Sequence, residues 1–315
     1  MKGGGIVQYW IGEHQENKLV RDVLRGIGVS ASLLARLKRD PRGILLNGEH
    51  VTVRAVVQAG DLLELAIEDA EPSLHIVPTR LDFEILLETP DFLAVNKPAG
   101  MPTHPSHGHF EDTLANALAY YFSERNRPFC PRFINRLDRD TTGVVLVALH
   151  ALSAASLSRA MAAGEIKKTY LALAHGKITA PTVIDSDIRR AKESIILREA
   201  CAQGEGDFAK TVVEPLASNR EVSLLHLKPE TGRTHQLRVH LASVGHPLLG
   251  DRLYGKQDDG FLRHALHAAT LRFELGGRSF EVIAPLPADM EKKTREMGEE
   301  AYALAQETLK RVKKP

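Results

Sequence analysis

The chain reads Ile134-Asn135-Arg136-Leu137-Asp138-Arg139-Asp140-Thr141-Thr142-Gly143 directly ahead of an apolar run at residues 144–149, which predicts a strand. Guanidinium groups beside a carboxylate favour its charged form, and the small polar residues that follow can turn the backbone and offer N–H groups to an anion. A carboxylate kept charged in this way is suited to act as a nucleophile or a base rather than as a proton donor. The same pattern also fits a surface turn with a structural ion pair, so the rest of the chain decides between the two interpretations.

Composition places the chain among soluble globular proteins with room for two domains. It has 315 residues, of which 43% are hydrophobic and 26% are charged. Its two cysteines, Cys130 and Cys201, are too few for a disulfide framework or a paired-cysteine zinc site. No apolar run approaches the ~18 residues of a membrane span, and the first residues lack the apolar core of a secretion signal. We therefore expect a cytoplasmic protein that does not associate with membranes.

The segment from Lys18 to Arg54 is strongly basic, with eight lysines and arginines against three acids. Apolar residues recur at helical spacing in its first part, and Ser30 is placed to cap a second short helix. That helix would turn three basic residues outward, namely Arg36, Lys38 and Arg39. The pair Asn47-Gly48 tolerates the positive φ angles of a tight turn, so residues 44–53 predict a β-hairpin, and a third strand follows at 62–67.

Two short helices and a small sheet, with basic residues on the helices, resemble the S-four RNA-binding domain first known from a small-subunit ribosomal protein. The resemblance covers residues 17–70 and rests on Leu24-Arg25, Ser30, Leu33-Leu34, Leu37-Lys38-Arg39, Gly43-Ile44, Asn47-Gly48, Val51 and Gly60-Asp61. It implies salt-sensitive, sequence-indifferent contacts from lysines and arginines to RNA phosphates. A solvated charged face without a ligand is the alternative. Residues 1–16 are then an N-terminal extension, and the acidic, proline-containing residues 71–82 are a linker.

The remainder of the chain alternates strands and helices joined by short turns, without an internal repeat. Two strands around Pro90-Asp91 end at Asn96-Lys97-Pro98, Thr113 is placed to cap a helix, and a further helix is predicted at 151–163. Residues 289–315 alternate acidic and basic side chains and end in a basic cluster, which predicts a solvated, charged helix or tail.

Two more segments carry candidate functional side chains. Tyr170 lies in a run that passes from the basic pair Lys167-Lys168 into an apolar strand. Further along, a turn at Thr231-Gly232 leads into a helix that carries His235 and Arg238 on one face. A tyrosine on a strand usually belongs to the core and a helical arginine is usually solvated, but an arginine among buried-looking residues needs a partner.

These segments together resemble the large-subunit ribosomal RNA pseudouridine synthase family of the RluA type, over residues 83–288. The matching motifs are Asn96-Lys97-Pro98, Arg136-Leu137-Asp138 with Thr141-Thr142-Gly143, Lys168-Thr169-Tyr170, Thr231-Gly232-Arg233-Thr234-His235-Gln236-Leu237-Arg238 and Arg263-His264-Ala265-Leu266-His267. The resemblance implies an α+β fold. A mixed, largely antiparallel sheet with flanking helices forms the catalytic domain, and a small α/β RNA-binding domain precedes it in the chain. Asn135 departs from the family, many of whose members have histidine there, and this bears on subgroup and substrate.

The family resemblance also implies a chemistry, the isomerisation of uridine in structured RNA, with ribosomal RNA favoured and no cofactor required. Asp138 matches the catalytic aspartate, which attacks the anomeric carbon of the ribose or removes its 2′ proton. Arg238 matches the ion-pair partner of that aspartate. Tyr170 matches the tyrosine that stacks on the uracil and helps to remove the carbon 5 proton. Asp140 is left as a structural residue.

RNA is the predicted partner of the chain, which is expected to act as a monomer without a metal. Arg136 would fill the space of the displaced base or hold a phosphate. Contacts with RNA are predicted for six further residues: Lys97, Arg233, His235, Arg36, Lys38 and Arg39. Transfer RNA remains open as the substrate. A non-catalytic role in ribosome assembly is a further alternative, and it would predict that the catalytic Asp, Tyr or Arg is missing.

Two other uses of these residues are disfavoured. A glycosidase-like pair of Asp138 and Asp140 would need carboxylates on opposite sides of a sugar, which residues two apart in a turn do not easily provide. Zinc binding by closely spaced histidines would be expected to show a His-Glu-x-x-His pattern or a cysteine pair, and neither accompanies the two sets, His104, His107 and His109 or His264 and His267.

Overall fold

The structure is a computed structural model that describes residues 5–67, 76–127, 129–255 and 260–310. Parts of three predicted segments lie outside these ranges: residues 1–4 of the extension, 71–75 of the linker and 311–315 of the tail. Residues 68–70, the predicted end of the small domain, lie outside them as well.

Two short helices and a four-stranded antiparallel sheet form the N-terminal unit. The helices are α1 (Val20–Gly26) and α2 (Ala31–Leu37), and the strands are β1 (Gly5–Trp10), β2 (Ile44–Leu46), β3 (Glu49–His50) and β4 (Leu62–Ile67), in the spatial order β1-β4-β2-β3. The Ser30 hydroxyl caps α2 by accepting a hydrogen bond from the Leu33 N–H at 3.2 Å. Asn47 and Gly48 have φ angles of 53° and 84°, which confirms the predicted turn between β2 and β3.

The first strand departs from the predicted organisation. β1 lies within the predicted N-terminal extension, yet it pairs antiparallel with β4 along its whole length. Val7 and Tyr9 pack against the apolar core of the small unit, whereas the alternate side chains Ile6 and Trp10 are exposed. Two helices and a hairpin separate β1 from β4 in the sequence, so local periodicity does not reveal their pairing.

A ten-stranded, mainly antiparallel sheet organises the rest of the chain. Strands β5 to β16 are, in chain order, β5 (Glu84–Glu88), β6 (Phe92–Lys97), β7 (Arg132–Phe133), β8 (Thr142–Ala148), β9 (Lys167–His175), β10 (Thr182–Asp185), β11 (Asp187–Arg190), β12 (Arg198–Cys201), β13 (Lys210–Ser218), β14 (Val222–Pro229), β15 (Leu266–Leu275) and β16 (Arg278–Ile283). The spatial order is β10-β13-β14-β9-β15-β8-β6-β5, with β16 beside β15 and β7 beside β8, while β11 and β12 form a separate hairpin. β8 and β15 run parallel, and the other neighbouring pairs in the described ranges are antiparallel.

The helices that flank this sheet are α3 (Leu114–Ser123), α4 (Ala151–Ala162), α5 (Gln236–Ser243), α6 (Ala288–Glu296) and α7 (Glu299–Lys310). α3 and α4 lie on opposite faces of β6 and β8, because their apolar side chains contact alternate residues of these strands. Every residue of β8 is buried, as expected for a strand covered on both faces. In the described ranges, no helix combines the length and the apolar character that crossing a bilayer requires. Together the elements confirm the predicted α+β fold.

The small unit packs against α4 of the larger one. Leu152 of α4 belongs to the buried core of the small unit, and the Ser156 hydroxyl donates a hydrogen bond to the Ile27 carbonyl at 2.9 Å. Gly28 approaches α4 so closely that a Cβ atom there would lie 2.0 Å from the Arg159 guanidinium. The end of the Arg159 side chain could move aside, but the φ of 97° at Gly28 favours glycine at this position.

The C-terminal helices correct the prediction of a solvated tail for the described part of that segment, residues 289–310. α6 and α7 pack on the sheet through Met290, Ala305 and Leu309, which are all buried. In α7, Ala301, Ala305 and Leu309 recur every four residues and form the buried face. The prediction is wrong because the charged residues between these small apolar positions dominate the local pattern.

Candidate active site

Asp138 lies in the loop that leads into β8, and its side chain is 25% exposed. The Thr141 N–H donates a hydrogen bond to the Asp138 carbonyl at 3.1 Å and closes the loop. On the other side, the Thr103 hydroxyl lies 3.0 Å from the Leu137 carbonyl oxygen and 3.2 Å from the Leu137 nitrogen. Because the backbone is held on both sides of Asp138, its carboxylate has a well-defined position.

The Thr141-Thr142-Gly143 run does not form the anion-binding turn that the sequence suggests. Both threonine side chains are buried, with their hydroxyl oxygens 2.7 Å from His264 Nε2 and 2.9 Å from His267 Nδ1. Gly143 has a φ of 112°, and a Cβ atom there would lie 2.1 Å from the Ala268 carbonyl oxygen. The run therefore allows β8 and β15 to approach each other next to the Asp138 loop.

Arg238, on α5, forms the predicted ion pair with Asp138. Its Nη1 atom lies 3.3 Å from the Asp138 Oδ2 atom, and its side chain is 6% exposed. Burial alone would lower the pKa of the guanidinium, but Asp251 and Asp138 together raise it. Arg238 therefore stays charged beside the Asp138 carboxylate.

Asp251 is the closer partner of Arg238, and the sequence interpretation missed it. Its two carboxylate oxygens accept hydrogen bonds from Arg238 at 2.8 Å, and Oδ1 also accepts from the N–H groups of Leu253 and Tyr254. Although burial favours the neutral acid, the Arg238 hydrogen bonds hold the pKa of Asp251 below its usual range. The sequence does contain a signal for this contact, because a buried arginine needs a carboxylate partner and Asp251 follows closely after α5. The sequence interpretation gave that role to Asp138 alone.

Tyr170 lies on β9 and lines the same cavity as Asp138 and Arg238. Its ring is partly buried and packs against the apolar clusters on either side. Burial and the negative charge of Asp138 raise the pKa of the hydroxyl, so it stays protonated at neutral pH. Nearby, the Lys168 ammonium donates a hydrogen bond to the Thr231 carbonyl at 3.0 Å and orders the opposite wall of the cavity. Tyr170 thus offers the cavity an aromatic ring and a hydroxyl proton.

The three predicted catalytic residues share one cavity of about 100 Å³. A wider cleft of about 700 Å³ adjoins it, and the two share six lining residues, among them Arg136, Asp138, His235 and Arg238. Asp138 therefore lies where a narrow pocket for a small group opens into a cleft for a larger molecule.

The residues predicted to contact RNA lie at the cavity, in its wall and on the small unit. Arg136 and Arg233 are exposed at the cavity, where the Arg233 Nε atom donates to the Phe208 carbonyl at 2.9 Å. His235 is 12% exposed and belongs to the wall of the pocket, with its Nε2 atom 3.9 Å from Asp138 Oδ2. Three residues are exposed on or just after α2 in the small unit: Arg36, Lys38 and Arg39.

Lys97 cannot make the RNA contact that the sequence predicts. Its side chain is fully buried, and its Nζ atom donates to the carbonyl oxygens of Pro98, Met101 and Arg139 at 2.8, 2.7 and 2.9 Å. An ammonium group has three protons, so none remains for a phosphate. Lys97 instead ties the end of β6 to the loop that carries Asp138.

Replacing Lys97 with methionine is expected to lower the free energy of unfolding by roughly 3 kcal/mol near pH 7, because three buried carbonyl groups lose their donor. Burial lowers the pKa of Lys97 from 10.5 to about 7, against the opposing charges of Asp140 and Asp138. Between these two pKa values the unfolded chain keeps a proton that the folded protein releases. The stability that Lys97 contributes is therefore complete above the unfolded pKa and is lost as the pH falls through the folded pKa.

Denaturant unfolding of the parent and Lys97→Met proteins at about pH 7 and about pH 9 measures this effect. The gap between their unfolding free energies should widen by at least ~1 kcal/mol at the higher pH. A gap that does not change with pH would contradict the burial of a titrating lysine.

Asp140 and Asn135 have structural contacts. The Asp140 carboxylate pairs with Arg139 at 3.2 Å, and although burial acts in the opposite direction, this arginine holds the pKa of Asp140 below its usual range. The Asn135 side chain donates to the Val144 carbonyl at 3.0 Å and accepts from the Leu146 N–H at 2.8 Å. Asn135 thus satisfies backbone groups along the edge of β8.

The histidines considered for zinc binding make other contacts. His264 and His267 face the threonine hydroxyls next to Asp138, and burial lowers the pKa of each to about 4, so both are neutral. His109 Nδ1 lies 2.6 Å from the Asp112 carboxylate, and His104 packs edge-on against an aromatic ring. Within the described ranges, no group of three or more His, Cys, Asp or Glu side chains could hold a metal ion.

Known proteins resemble this chain along most of its length. A family model described as "RNA pseudouridylate synthase" matches residues 91–243. In Bacillus subtilis (strain 168), "Uncharacterized RNA pseudouridine synthase YhcT" is 35% identical over 93% of this chain and 98% of its own length, and "Uncharacterized RNA pseudouridine synthase YjbO" is 34% identical over 87% and 97%. "Ribosomal large subunit pseudouridine synthase D" of Zymomonas mobilis is 32% identical over 83% of this chain and 90% of its own length.

Among solved structures, the fold is similar to that of "Human RNA Pseudouridylate Synthase Domain Containing 1". The TM-score is 0.56 and the sequence identity is 29%, over 72% of this chain and 97% of that one. The likeness thus extends over nearly the whole of the solved domain.

Proposed function

This chain belongs to the RluA-type RNA pseudouridine synthase family, whose members are isomerases, and on that premise we propose that Asp138, Tyr170 and Arg238 carry the reaction. The supporting observation is that these side chains, from a loop, a strand and a helix, line one cavity. In the reaction, the bond between ribose C1′ and uracil N1 breaks, the uracil turns, and C1′ bonds to C5. C5 loses a proton and N1 gains one, so nothing is added or removed overall.

Asp138 supplies the carboxylate next to the ribose. Breaking the glycosidic bond develops positive charge on the sugar and negative charge on the uracil, and a fixed carboxylate stabilises the sugar. Two routes are open to Asp138: it attacks C1′ to form an ester, or it removes the 2′ proton to form a glycal. Both routes need an ionised carboxylate, and the Arg238 guanidinium at 3.3 Å favours that form.

Tyr170 supplies a stacking surface for the uracil and takes part in proton removal only after Asp138 has reacted. In the free enzyme the negative charge of Asp138 contributes to the raised pKa of the Tyr170 hydroxyl. That charge disappears when Asp138 forms an ester or takes up a proton, and it returns when C1′ bonds to C5, because the ester then breaks or the proton goes back to C2′. The carbon 5 proton is removed after this bond has formed, so Tyr170 again faces a charged Asp138 and needs a nearby cation to lower its pKa; Lys168 lines the same cavity.

A uridine in folded RNA has to leave its stack to reach so small a pocket. The cost is a few kcal/mol, which contacts with the phosphates can offset. The adjoining cleft of about 700 Å³ gives room for the flanking nucleotides. Arg136 is exposed and lines both spaces, so it is placed to hold a phosphate or to fill the position of the displaced base.

Ribosomal RNA is the proposed substrate, with transfer RNA as the alternative. Relatives in several bacteria are named for the large ribosomal subunit. The small basic unit, with its S-four-like order of helices and strands, would hold the enzyme on a large structured RNA through phosphate contacts. We place the enzyme in the cytoplasm, acting as a monomer.

Neutralising the exposed face of α2 is expected to weaken RNA binding without changing the turnover of bound RNA. Alanine at Arg36, Lys38 and Arg39 removes up to three phosphate contacts, which should reduce the slope of log affinity against log salt by about 2. Filter-binding titrations at several salt concentrations measure that slope. Replacement of three exposed basic residues elsewhere, Lys177, Arg220 and Lys292, is the control for net charge. An equal change in both triple variants would contradict a specific role for α2.

Purified transcripts distinguish the two substrate classes. Large-subunit ribosomal RNA and a transfer RNA pool are incubated separately with the enzyme, and pseudouridine is mapped at single-nucleotide resolution. Modification of defined uridines in the ribosomal transcript supports the proposal, whereas modification of transfer RNA alone selects the alternative. Binding of both RNAs without modification of either would contradict the roles proposed for the cavity residues.

A further inference from the structure

Tyr254 contacts both of the residues that flank the Asp138 carboxylate. Its hydroxyl oxygen lies 2.8 Å from the His235 Nδ1 atom, and the centre of its ring lies 5.1 Å from the central guanidinium carbon of Arg238. The rings of His235 and Tyr254 meet edge to face, with their centres 5.7 Å apart. Neither Tyr254 nor His235 takes part in the chemistry described above.

The hydrogen bonds around the Tyr254 hydroxyl decide which nitrogen of His235 carries the proton. The Arg198 N–H donates to the Tyr254 oxygen at 2.9 Å and occupies one lone pair. Within the described ranges, His235 Nδ1 is the other hydrogen-bond partner of this oxygen, so it is the acceptor for the hydroxyl proton. A neutral imidazole that accepts a hydrogen bond at Nδ1 carries its proton on Nε2.

The Nε2 atom of His235 faces the carboxylate of Asp138. It lies 3.9 Å from Oδ2, which is too long for a hydrogen bond, but such contacts in active sites often shorten when the substrate binds. His235 directly precedes α5 with a φ of 58°, in the left-handed region that few residues other than glycine adopt. Strained backbone of this kind persists where the surrounding contacts impose it, and it is concentrated at functional sites.

We propose that Tyr254 holds His235 as a neutral imidazole with its proton on Nε2, and that this N–H is a positioning donor to Asp138 once uridine is bound. The proposal rests on the role of Asp138 proposed above. His235 and Arg238 approach the same oxygen, Oδ2, at 3.9 and 3.3 Å. In the described ranges no donor contacts Oδ1, so the pair leaves that oxygen as the reacting atom.

The surroundings of His235 favour its neutral form. Burial lowers its pKa, Arg238 and Arg198 act in the same direction, and Asp138 and Asp251 oppose them. Protonation at acidic pH puts a second proton on Nδ1, which turns the Tyr254 hydroxyl into an acceptor and places a full charge next to Asp138. The imidazolium holds the carboxylate more tightly than the neutral ring does, so the reaction slows on the acid side.

The free enzyme tests the tautomer independently of catalysis. Protein labelled with nitrogen-15 histidine gives two-bond proton–nitrogen correlations that distinguish the two tautomers, and His235→Gln identifies the His235 signals. We expect the neutral Nε2–H form near neutral pH and a mixture of tautomers in Tyr254→Phe. A proton on Nδ1 or a charged ring near neutral pH would overturn the proposal, whatever the role of Asp138.

Single-turnover rates test the positioning role. His235→Leu is expected to lower the rate about tenfold at unchanged RNA affinity, whereas His235→Gln, which keeps an N–H donor near Nε2, should recover most of that loss. In both variants the acid limb of the pH–rate profile should move to lower pH. His14→Gln, at an exposed histidine of the small unit, is the control. Equal rate losses in the Leu and Gln variants, with the acid limb of the pH–rate profile unmoved, would overturn the positioning role of His235. An active Asp138→Asn enzyme would instead overturn the proposed function.

Discussion

Replacing Asp138 with asparagine is expected to lower the rate of pseudouridine formation by at least ~10³-fold while RNA affinity stays within about twofold. Asparagine keeps the shape of the side chain but has neither the charge nor a nucleophilic or basic oxygen, so both routes open to Asp138 are closed. Arg238 keeps its two 2.8 Å hydrogen bonds to Asp251 in this variant, so its buried charge stays paired and the fold is expected to tolerate the change. Single-turnover assays with excess enzyme measure the rate, and filter binding measures the affinity.

Asp140→Asn is the matched control for that experiment. This acid lies two residues away in the same loop and pairs with the exposed Arg139. Its replacement should leave the rate within about threefold of the parent. Losses of similar size in both variants would point to disruption of the loop rather than to lost chemistry.

Replacing Asp251 with alanine is expected to lower the free energy of unfolding by about 3–5 kcal/mol and to abolish activity. The change leaves the buried Arg238 guanidinium without two hydrogen bonds of 2.8 Å, and it also frees the N–H groups of Leu253 and Tyr254. Urea unfolding followed by circular dichroism measures the loss. A loss below about 1 kcal/mol would contradict the anchoring of Arg238 by Asp251.

A double replacement separates the stability of this ion pair from its chemistry. Asp251→Leu alone leaves an uncompensated buried charge, and adding Arg238→Met removes that charge. Stability should then return to within roughly 2 kcal/mol of the parent. Activity should stay lost, because Asp138 has no cationic partner. A stable and active double variant would contradict the pairing of Arg238 with Asp138.

Elements whose causes are local could be predicted from the sequence. The apolar run after Gly143 forms β8, Thr113 caps α3, and Asn47-Gly48 forms the turn of the small sheet. Each of these depends on residues within a few positions, so periodicity and turn chemistry are sufficient. The grouping of Asp138, Tyr170 and Arg238 was predicted from the family resemblance, because their separation along the chain gives no local indication of contact.

Contacts between distant segments could not be predicted. A lysine ahead of a proline has the same local sequence whether it faces a phosphate or three carbonyl oxygens, and the burial of Lys97 depends on the whole sheet. The pairing of β1 with β4 likewise depends on a strand more than fifty residues away. For Asp251, the position of α5 against the Asp138 loop decides which carboxylate binds Arg238 more closely. Tertiary packing decides such contacts, which is why the sequence placed Lys97 wrongly and missed Asp251.

RNA from cells that lack this protein provides the most direct test of the central claim, that the chain isomerises uridine through Asp138. The parent enzyme and Asp138→Ala are each incubated with that RNA, and pseudouridine is mapped at single-nucleotide resolution. We predict new pseudouridine at a few defined uridines with the parent enzyme and none with the variant. Equal modification by both proteins would contradict the assignment of Asp138.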